Sequence, residues 1–280
     1  MSAPSSAARH WFVTGASGGL GRHLVGEALR RGEYVTATVR RPDALRDLAA
    51  AFGAQLTVER LDLLNPEDVT AVIGRVQRNR PVDVVVNNAG YAVVGAAEEM
   101  TAAQIRDQLE VLLIAPILIT KAFLAPMRAR GGGRIIQISS LGGQIGAPTH
   151  SAYHAAKWGL EGYSESVARE VAEFGIHLTI AQPGATRTGF AAALQYTTET
   201  GPYRDNPVGR MRRYLESIED SELTGDPAKI AAVLYETTLR PDPPLRLALG
   251  PDTYEIVHAA LTNRLGQLEA QRDVAESVVF

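Results

Sequence analysis

Cysteine is absent from this chain, lysine is nearly so, and no long uninterrupted hydrophobic run occurs. Without cysteine, disulfides and thiol catalysis are excluded, and the redox compartment stays undetermined. Lys121, Lys157 and Lys229 are the only lysines, so 25 of the 28 basic residues are arginines. These are scattered along the chain, and a net charge of −3 with a pI near 6.1 gives no reason to expect nucleic acid as a partner. The most apolar stretch, 111–119, falls about ten residues short of a membrane span and is interrupted by Pro116. Residues 1–9 are rich in Ser and Ala and lack the basic region and apolar run of a secretory signal. They are expected to be the flexible start of a cytoplasmic protein with no membrane partner.

What the chain does have is 45% hydrophobic and 21% charged residues over 280 positions, enough to bury a sizeable core. From His10 to about Gln182, short β-branched runs alternate with longer amphipathic segments, the signature of βαβ units and a parallel sheet. Strands are predicted to begin at Trp11, Tyr34, Gln55, Val82, Arg134 and Ile176, with helices over 20–31, 43–52, 66–79, 102–130 and 151–174. Asn65 before Pro66 supplies an N-cap followed by proline at the first helical position, and Thr101 with Gln104 has capping-box spacing. The expected fold class is α/β, a doubly wound parallel sheet in three α/β/α layers, with 10–280 as one domain. The stretch 184–225 is long, polar and without a clean period, and is expected to cover a substrate. Order returns with Asp226 and Pro227 capping a helix, a strand at 245–249 and a C-terminal helix from about Thr253.

The first strand ends in Thr14-Gly15-Ala16-Ser17-Gly18-Gly19-Leu20-Gly21 and runs directly into a helix. Glycine at 15, 19 and 21 lets the backbone turn tightly and approach a pyrophosphate, whose charge the helix N-terminus stabilises. Four further motifs follow in order: Asn87-Asn88-Ala89-Gly90 after the fourth strand, Ser140 after the fifth, Tyr153-x-x-x-Lys157 on the next helix, and Pro183-Gly184 with Thr188 after the sixth. Together they resemble the short-chain dehydrogenase/reductase family, closely over about 10–190 and in architecture beyond. Residues 201–215 and the long C-terminal helix look like a hydroxysteroid-dehydrogenase-like subgroup. The resemblance implies a Rossmann-type fold and a nicotinamide cofactor. It places Gly15, Ser17, Gly19, Leu20, Gly21, Asn88, Ala89, Gly90, Tyr153, Lys157, Pro183, Gly184 and Thr188 at that cofactor, and assigns catalysis to Ser140, Tyr153 and Lys157.

The chemistry of the residues agrees. Tyr153 and Lys157 are four apart and share one helix face, so the ammonium is expected to favour the phenolate. In the family the tyrosine gives a proton to a carbonyl oxygen or takes one from an alcohol, the nicotinamide carries the hydride, and Ser140 would polarise the same oxygen. Where NAD-preferring members place an acid after the second strand, this chain has Val39-Arg40-Arg41, and two guanidinium groups suit a 2′-phosphate. Asp62 matches the family's adenine-contacting acid and equally suits a turn. His23 with Glu27 and His150 with His154 have helical i, i+4 spacing but suggest no third ligand, so no metal is expected. The run 111–119 is expected to be a buried helix core and, by resemblance, a dimer seam. Leu112 stands where the family usually has an asparagine that helps hold a proton-relaying water. Pro116, four residues on, has no N–H for the Leu112 carbonyl, which is therefore expected to be free.

The expected function is an NADP(H)-dependent oxidoreductase interconverting a small-molecule ketone or aldehyde with its alcohol, working as a homodimer or homotetramer. The alternatives are an epimerase or dehydratase, or an NADP(H)-sensing regulator, on the same fold.

Overall fold

Trp11 and Val13 enter one core layer and Phe12 the other, because side chains of the first strand, β1 (His10–Thr14), alternate across the sheet. A computed structural model describes residues 8–280. The strands are β1, β2 (Tyr34–Val39), β3 (Leu56–Arg60), β4 (Val84–Asn87), β5 (Val93–Val94), β6 (Gly133–Ile138), β7 (Ile176–Pro183), β8 (Gln195–Tyr196) and β9 (Arg246–Leu249). The helices are α1 (Gly19–Arg30), α2 (Arg46–Phe52), α3 (Pro66–Asn79), α4 (Ala102–Leu109), α5 (Ala115–Ala129), α6 (Ser151–Val171), α7 (Gly201–Arg204), α8 (Pro207–Ser217), α9 (Pro227–Thr237), α10 (Pro251–Glu269) and α11 (Arg272–Glu276). Seven strands form one parallel sheet in the order β3-β2-β1-β4-β6-β7-β9, while β5 and β8 make a separate two-stranded pair. The expected doubly wound α/β/α fold is what the chain adopts. Its strand order reverses between β1 and β4, the place where such sheets leave a crevice beyond their carboxyl ends.

Each face of the sheet is closed by helices. Leu24, Leu29 and Leu234, from α1 and α9, pack with Trp11 and Val13 on one side. On the other, Ile73, Ile119, Phe123 and Val167, from α3, α5 and α6, pack with Phe12 and Val85. The Asn65-Pro66 cap, the Thr101/Gln104 capping box and the Asp226-Pro227 cap all form.

Several boundaries differ from expectation. The helix expected over 102–130 is interrupted by a π-turn at Glu110–Ile114, where the Ala115 N–H reaches back to the Glu110 carbonyl, one residue further than in an α-helix. Pro116 supplies the cause, since it has no N–H for the carbonyl four residues earlier. Residues 102–129 are, by length and composition, apolar enough to cross a membrane. Leu112, Ile119, Phe123 and Met127 on this stretch are buried within the protein, whereas Ile114 is exposed. The segment 184–225 contains β8, α7 and α8, and α8 starts at Asn206-Pro207, the same signal as Asn65-Pro66.

Residues 1–7 of the expected flexible start lie outside the described residues, but Arg9 is fixed. Its guanidinium meets the buried Glu33 carboxylate at 2.9 Å and lies 5.3 Å from the Trp11 ring and 5.2 Å from that of Tyr235. The Tyr235 hydroxyl donates to the same carboxylate at 2.8 Å, and its ring stacks on Trp11. This clasp joins the start of β1 to α9. Removing one member of such a buried group leaves the others unpaired, so Glu33→Ala is expected to cost about 2–4 kcal/mol of stability in urea denaturation while leaving the distant crevice unchanged.

Candidate active site

Thr14, the last residue of β1, is where the crevice begins. Its hydroxyl accepts the Asn88 and Ala89 backbone N–H groups at 3.0 and 3.1 Å, and the Asn88 amide donates to the Thr14 and Gly15 carbonyls at 2.9 and 3.1 Å. The motif after β4 thus locks the loop after β1. Gly15 has φ +66°, and a Cβ there would meet the Ala89 Cα at 2.6 Å; at Gly21 a Cβ would meet the Asn88 amide at 2.4 Å. Glycine is required at both for the two motifs to touch. Gly19 faces Thr188, which brings the loop after β7 to the same place. The α1 N-terminus at Gly18 has no side-chain cap and no acid in its first turn, leaving N–H groups directed at the crevice. Ser17 is exposed and Leu20 buried.

Arg40 and Arg41 are exposed immediately after β2, and among the described residues neither forms an ion pair. They adjoin the glycine loop, because the Ala16 N–H donates to the Thr38 carbonyl at 3.2 Å. Arg22 is occupied: it donates to the Ala44 carbonyl at 2.9 Å and pairs with Asp47. Asp62 sits beside the end of β2, since the Leu61 N–H donates to the Val39 carbonyl at 3.0 Å. One Asp62 carboxylate oxygen accepts the Leu64 N–H at 3.1 Å, so the turn role is real.

Ser140 follows β6, and its hydroxyl accepts the Gly142 N–H at 3.1 Å, capping a short turn over Leu141–Gly143. Tyr153 and Lys157 occupy one face of α6, with the Lys157 Nζ 5.6 Å from the Tyr153 ring centre and donating to the Ile138 carbonyl at 2.7 Å. His154 braces the turn that carries Ser140: one ring nitrogen bonds the Gly142 carbonyl at 2.8 Å and the other accepts the Ala147 N–H at 3.1 Å. Both nitrogens are therefore engaged, which leaves His154 none for a metal. His150 and Phe190 lie 5.9 and 6.3 Å from the Tyr153 ring. Beside them Thr149 has φ +77°, a strained conformation for a β-branched residue.

Electrostatics departs from the sequence expectation. Loss of hydration pushes the Tyr153 phenol above its ordinary value, and the Ser140 hydroxyl is the group that opposes this. Burial likewise pulls the Lys157 ammonium down to about 8, with Glu161 acting against it. Sequence reasoning missed Glu161, although it lies one helical turn beyond Lys157 and so on the same face. Its carboxylate is reached by Ser139 at 2.8 Å, by Gln182 at 2.9 Å and by Arg246 at 3.1 Å. The Pro183-Gly184 turn is fixed by Asp252 of α10, which accepts the Ala185 N–H at 2.8 Å.

These features can be set beside known proteins. A sequence profile described as short chain dehydrogenase matches residues 9–199. An oxidoreductase of Botryotinia fuckeliana is 40% identical over 248 residues, covering 88% of this chain and 90% of that one. The crystal structure of a short-chain dehydrogenase from Streptomyces avermitilis superposes with a TM-score of 0.91 at 38% identity, covering 98% of this chain and 100% of that one. A metagenomic short-chain oxidoreductase in complex with NADP is 26% identical, with a TM-score of 0.69 and coverage of 86% and 96%. With its glycine loop, its crevice at the strand-order reversal and these relatives, the chain belongs to the short-chain dehydrogenase family of oxidoreductases.

Proposed function

We propose that this protein is an NADP(H)-dependent oxidoreductase that interconverts a ketone or aldehyde with its alcohol, with Tyr153 as general acid and base. The observation that carries the reading is the meeting of Ser140, Tyr153 and Lys157 beyond β6, beside a glycine loop whose helix N-terminus is uncapped. The residues fit a dinucleotide. Gly15 and Gly21 leave a backbone cradle that a Cβ would fill, and the α1 N–H groups suit a pyrophosphate. Gly15, Ser17, Gly19, Leu20 and Gly21 would hold that part, with Thr188 opposite; Asn88, Ala89, Gly90, Pro183 and Gly184 would line the nicotinamide half. When bound, the nicotinamide supplies or accepts the hydride.

The chain's own residues then handle the proton. Ser140 orients and polarises the substrate oxygen, Tyr153 donates to it or withdraws from it, and Lys157 stabilises the phenolate left behind. Phe190 beside Tyr153 supports 184–225 as the substrate cover, favouring an apolar group next to the reacting carbon. The exposed Ile114 at the end of the π-turn, in the apolar run 111–119, supports assembly as a homodimer or homotetramer through that face.

Tyr153→Phe is expected to lower turnover on the order of a hundredfold or more, with NADPH binding by fluorescence nearly unchanged, because the ring still packs and only the acid is lost. A screen of ketones and alcohols followed by NADPH absorbance supplies the substrate for that assay, and activity near the unmodified level in this variant would remove Tyr153 from the mechanism. The related metagenomic oxidoreductase is in complex with NADP, and Arg40 and Arg41, without an ion pair among the described residues, suit a 2′-phosphate here. Arg40→Asp replaces an attraction by a repulsion, so the NADPH-over-NADH preference should collapse or invert in competitive binding; equal affinity of the unmodified protein for both cofactors would make the basic pair a surface feature.

Leu112 is the observation that favours the epimerase, dehydratase and sensor readings, since it has no side-chain group to hold a relay water. The π-turn and Pro116 support an alternative within the redox reading, in which the Leu112 backbone carbonyl binds that water. A crystal structure with cofactor is expected to show a water between the Leu112 carbonyl and Lys157, and an intact helical bond there with no water near Lys157 would favour the non-redox readings.

A further inference from the structure

Glu161 is a carboxylate with only 3% of its side chain exposed, and a buried carboxylate is costly unless its oxygens are fully engaged. Here they are. Ser139 adjoins Ser140, Gln182 adjoins Pro183-Gly184, Gln144 lies in the turn after β6, and Arg246 belongs to β9; all four reach this one carboxylate. Gly143 is cut to the same shape, since a Cβ there would lie 2.2 Å from the Glu161 oxygen and 2.5 Å from the Ser139 hydroxyl. Lys157, one turn earlier on α6, bonds the Ile138 carbonyl, next in sequence to Ser139. No motif of the sequence marks this cluster, yet it meets every element that carries a candidate catalytic group.

We propose that Glu161 is a positioning residue of the proton-transfer site: it places a counter-charge one helical turn from Lys157, while its hydrogen bonds set the ends of β6 and β7 against α6. The role rests on Lys157 belonging to that site. Arg246 modulates it by neutralising part of the charge, and it is itself shared with Glu165, 2.8 Å away, which pairs with Arg169. The charged and titratable groups around the cluster are thus Tyr153, Lys157 and Glu165 from α6, His154 of the same helix through its bond to the Gly142 carbonyl beside Gly143, Arg246 from β9, and Arg264 from α10, which bonds the Gln144 carbonyl at 2.9 Å. From β6, β7 and the intervening turn it meets the neutral Ser139, Gln182 and Gln144, and the π-turn packed on α6 sets the apolar Leu113 against Gly159.

Three lysines in the whole chain make the test direct. NMR titration of full-length protein carrying 13C-labelled lysine, without cofactor or substrate, gives three signals, and Lys157→Met identifies that of Lys157, expected to titrate well below an ordinary lysine because of its burial. Glu161→Gln keeps the shape and removes the charge, so that midpoint is expected to fall by roughly half a pH unit or more; Arg246→Met removes the opposing charge and is expected to raise it. Gly143→Ala, which displaces the carboxylate, should move it in the same direction as Glu161→Gln. Loosening of the fold alone would shift all three variants alike or none, and either pattern overturns the proposal. If Glu161→Gln does not fold, the opposite signs of Gly143→Ala and Arg246→Met carry the test. Because the titration needs no turnover, failure of the oxidoreductase reading would appear in the substrate screen and leave the lysine result standing.

Discussion

An ammonium buried between β6 and α6 is the constraint around which the candidate site is arranged. Lys157 loses its hydration there and is pulled down to about 8, while a neighbouring dipole and a nearby anion favour its charged form. The Ile138 carbonyl supplies the dipole and Glu161 the anion, and Glu161 in turn needs Ser139, Gln182, Gln144 and Arg246 to be tolerated in the interior. Placing one cation therefore ties the carboxyl ends of β6 and β7, with the first residue of β9, to α6. The same strand ends present Ser140 and the Pro183-Gly184 turn, so the network that stabilises the charge also sets the geometry of the crevice.

A second lock sits on the other side of the strand-order reversal. Thr14 and Gly15 share four hydrogen bonds with Asn88 and Ala89 beyond the ends of β1 and β4, and glycine at 15 and 21 lets the two loops come within contact. The consequence is a rigid mouth with an uncapped helix N-terminus facing it. Rigidity there matters because a pyrophosphate site works through backbone N–H groups already in place, with no reorganisation on binding. Strain collects nearby at Thr149, next to the residues flanking Tyr153, as is common where packing must hold functional side chains in one arrangement.

Pro116 shows how a local covalent fact reaches the site. Its missing N–H breaks the regular helix into α4 and α5 with a π-turn between, and Leu112 on that turn lies against Gly90.

The elements and the motifs were legible in the chain because their causes are local. Short β-branched runs marked the strands, Asn65-Pro66 and Asp226-Pro227 marked helix starts, and the glycine loop announced its turn by needing residues without a Cβ. Asn206-Pro207 carried the same start signal for α8 and was obscured only by the irregular sequence around it. Arg9 looked like the end of a loose tail, since its partners Glu33, Tyr235 and Thr238 are 24 or more positions away. Glu161 looked like one more helix carboxylate for the same reason: its neighbours on β6, β7 and β9 are brought to it by the parallel sheet alone. The fold class could be read from the succession of strand and helix segments, and the glycine loop and the pairing of Tyr153 with Lys157 from spacing within a turn or a helix. How those side chains titrate could not, because burial and the charges of distant residues exist only once the strands lie side by side.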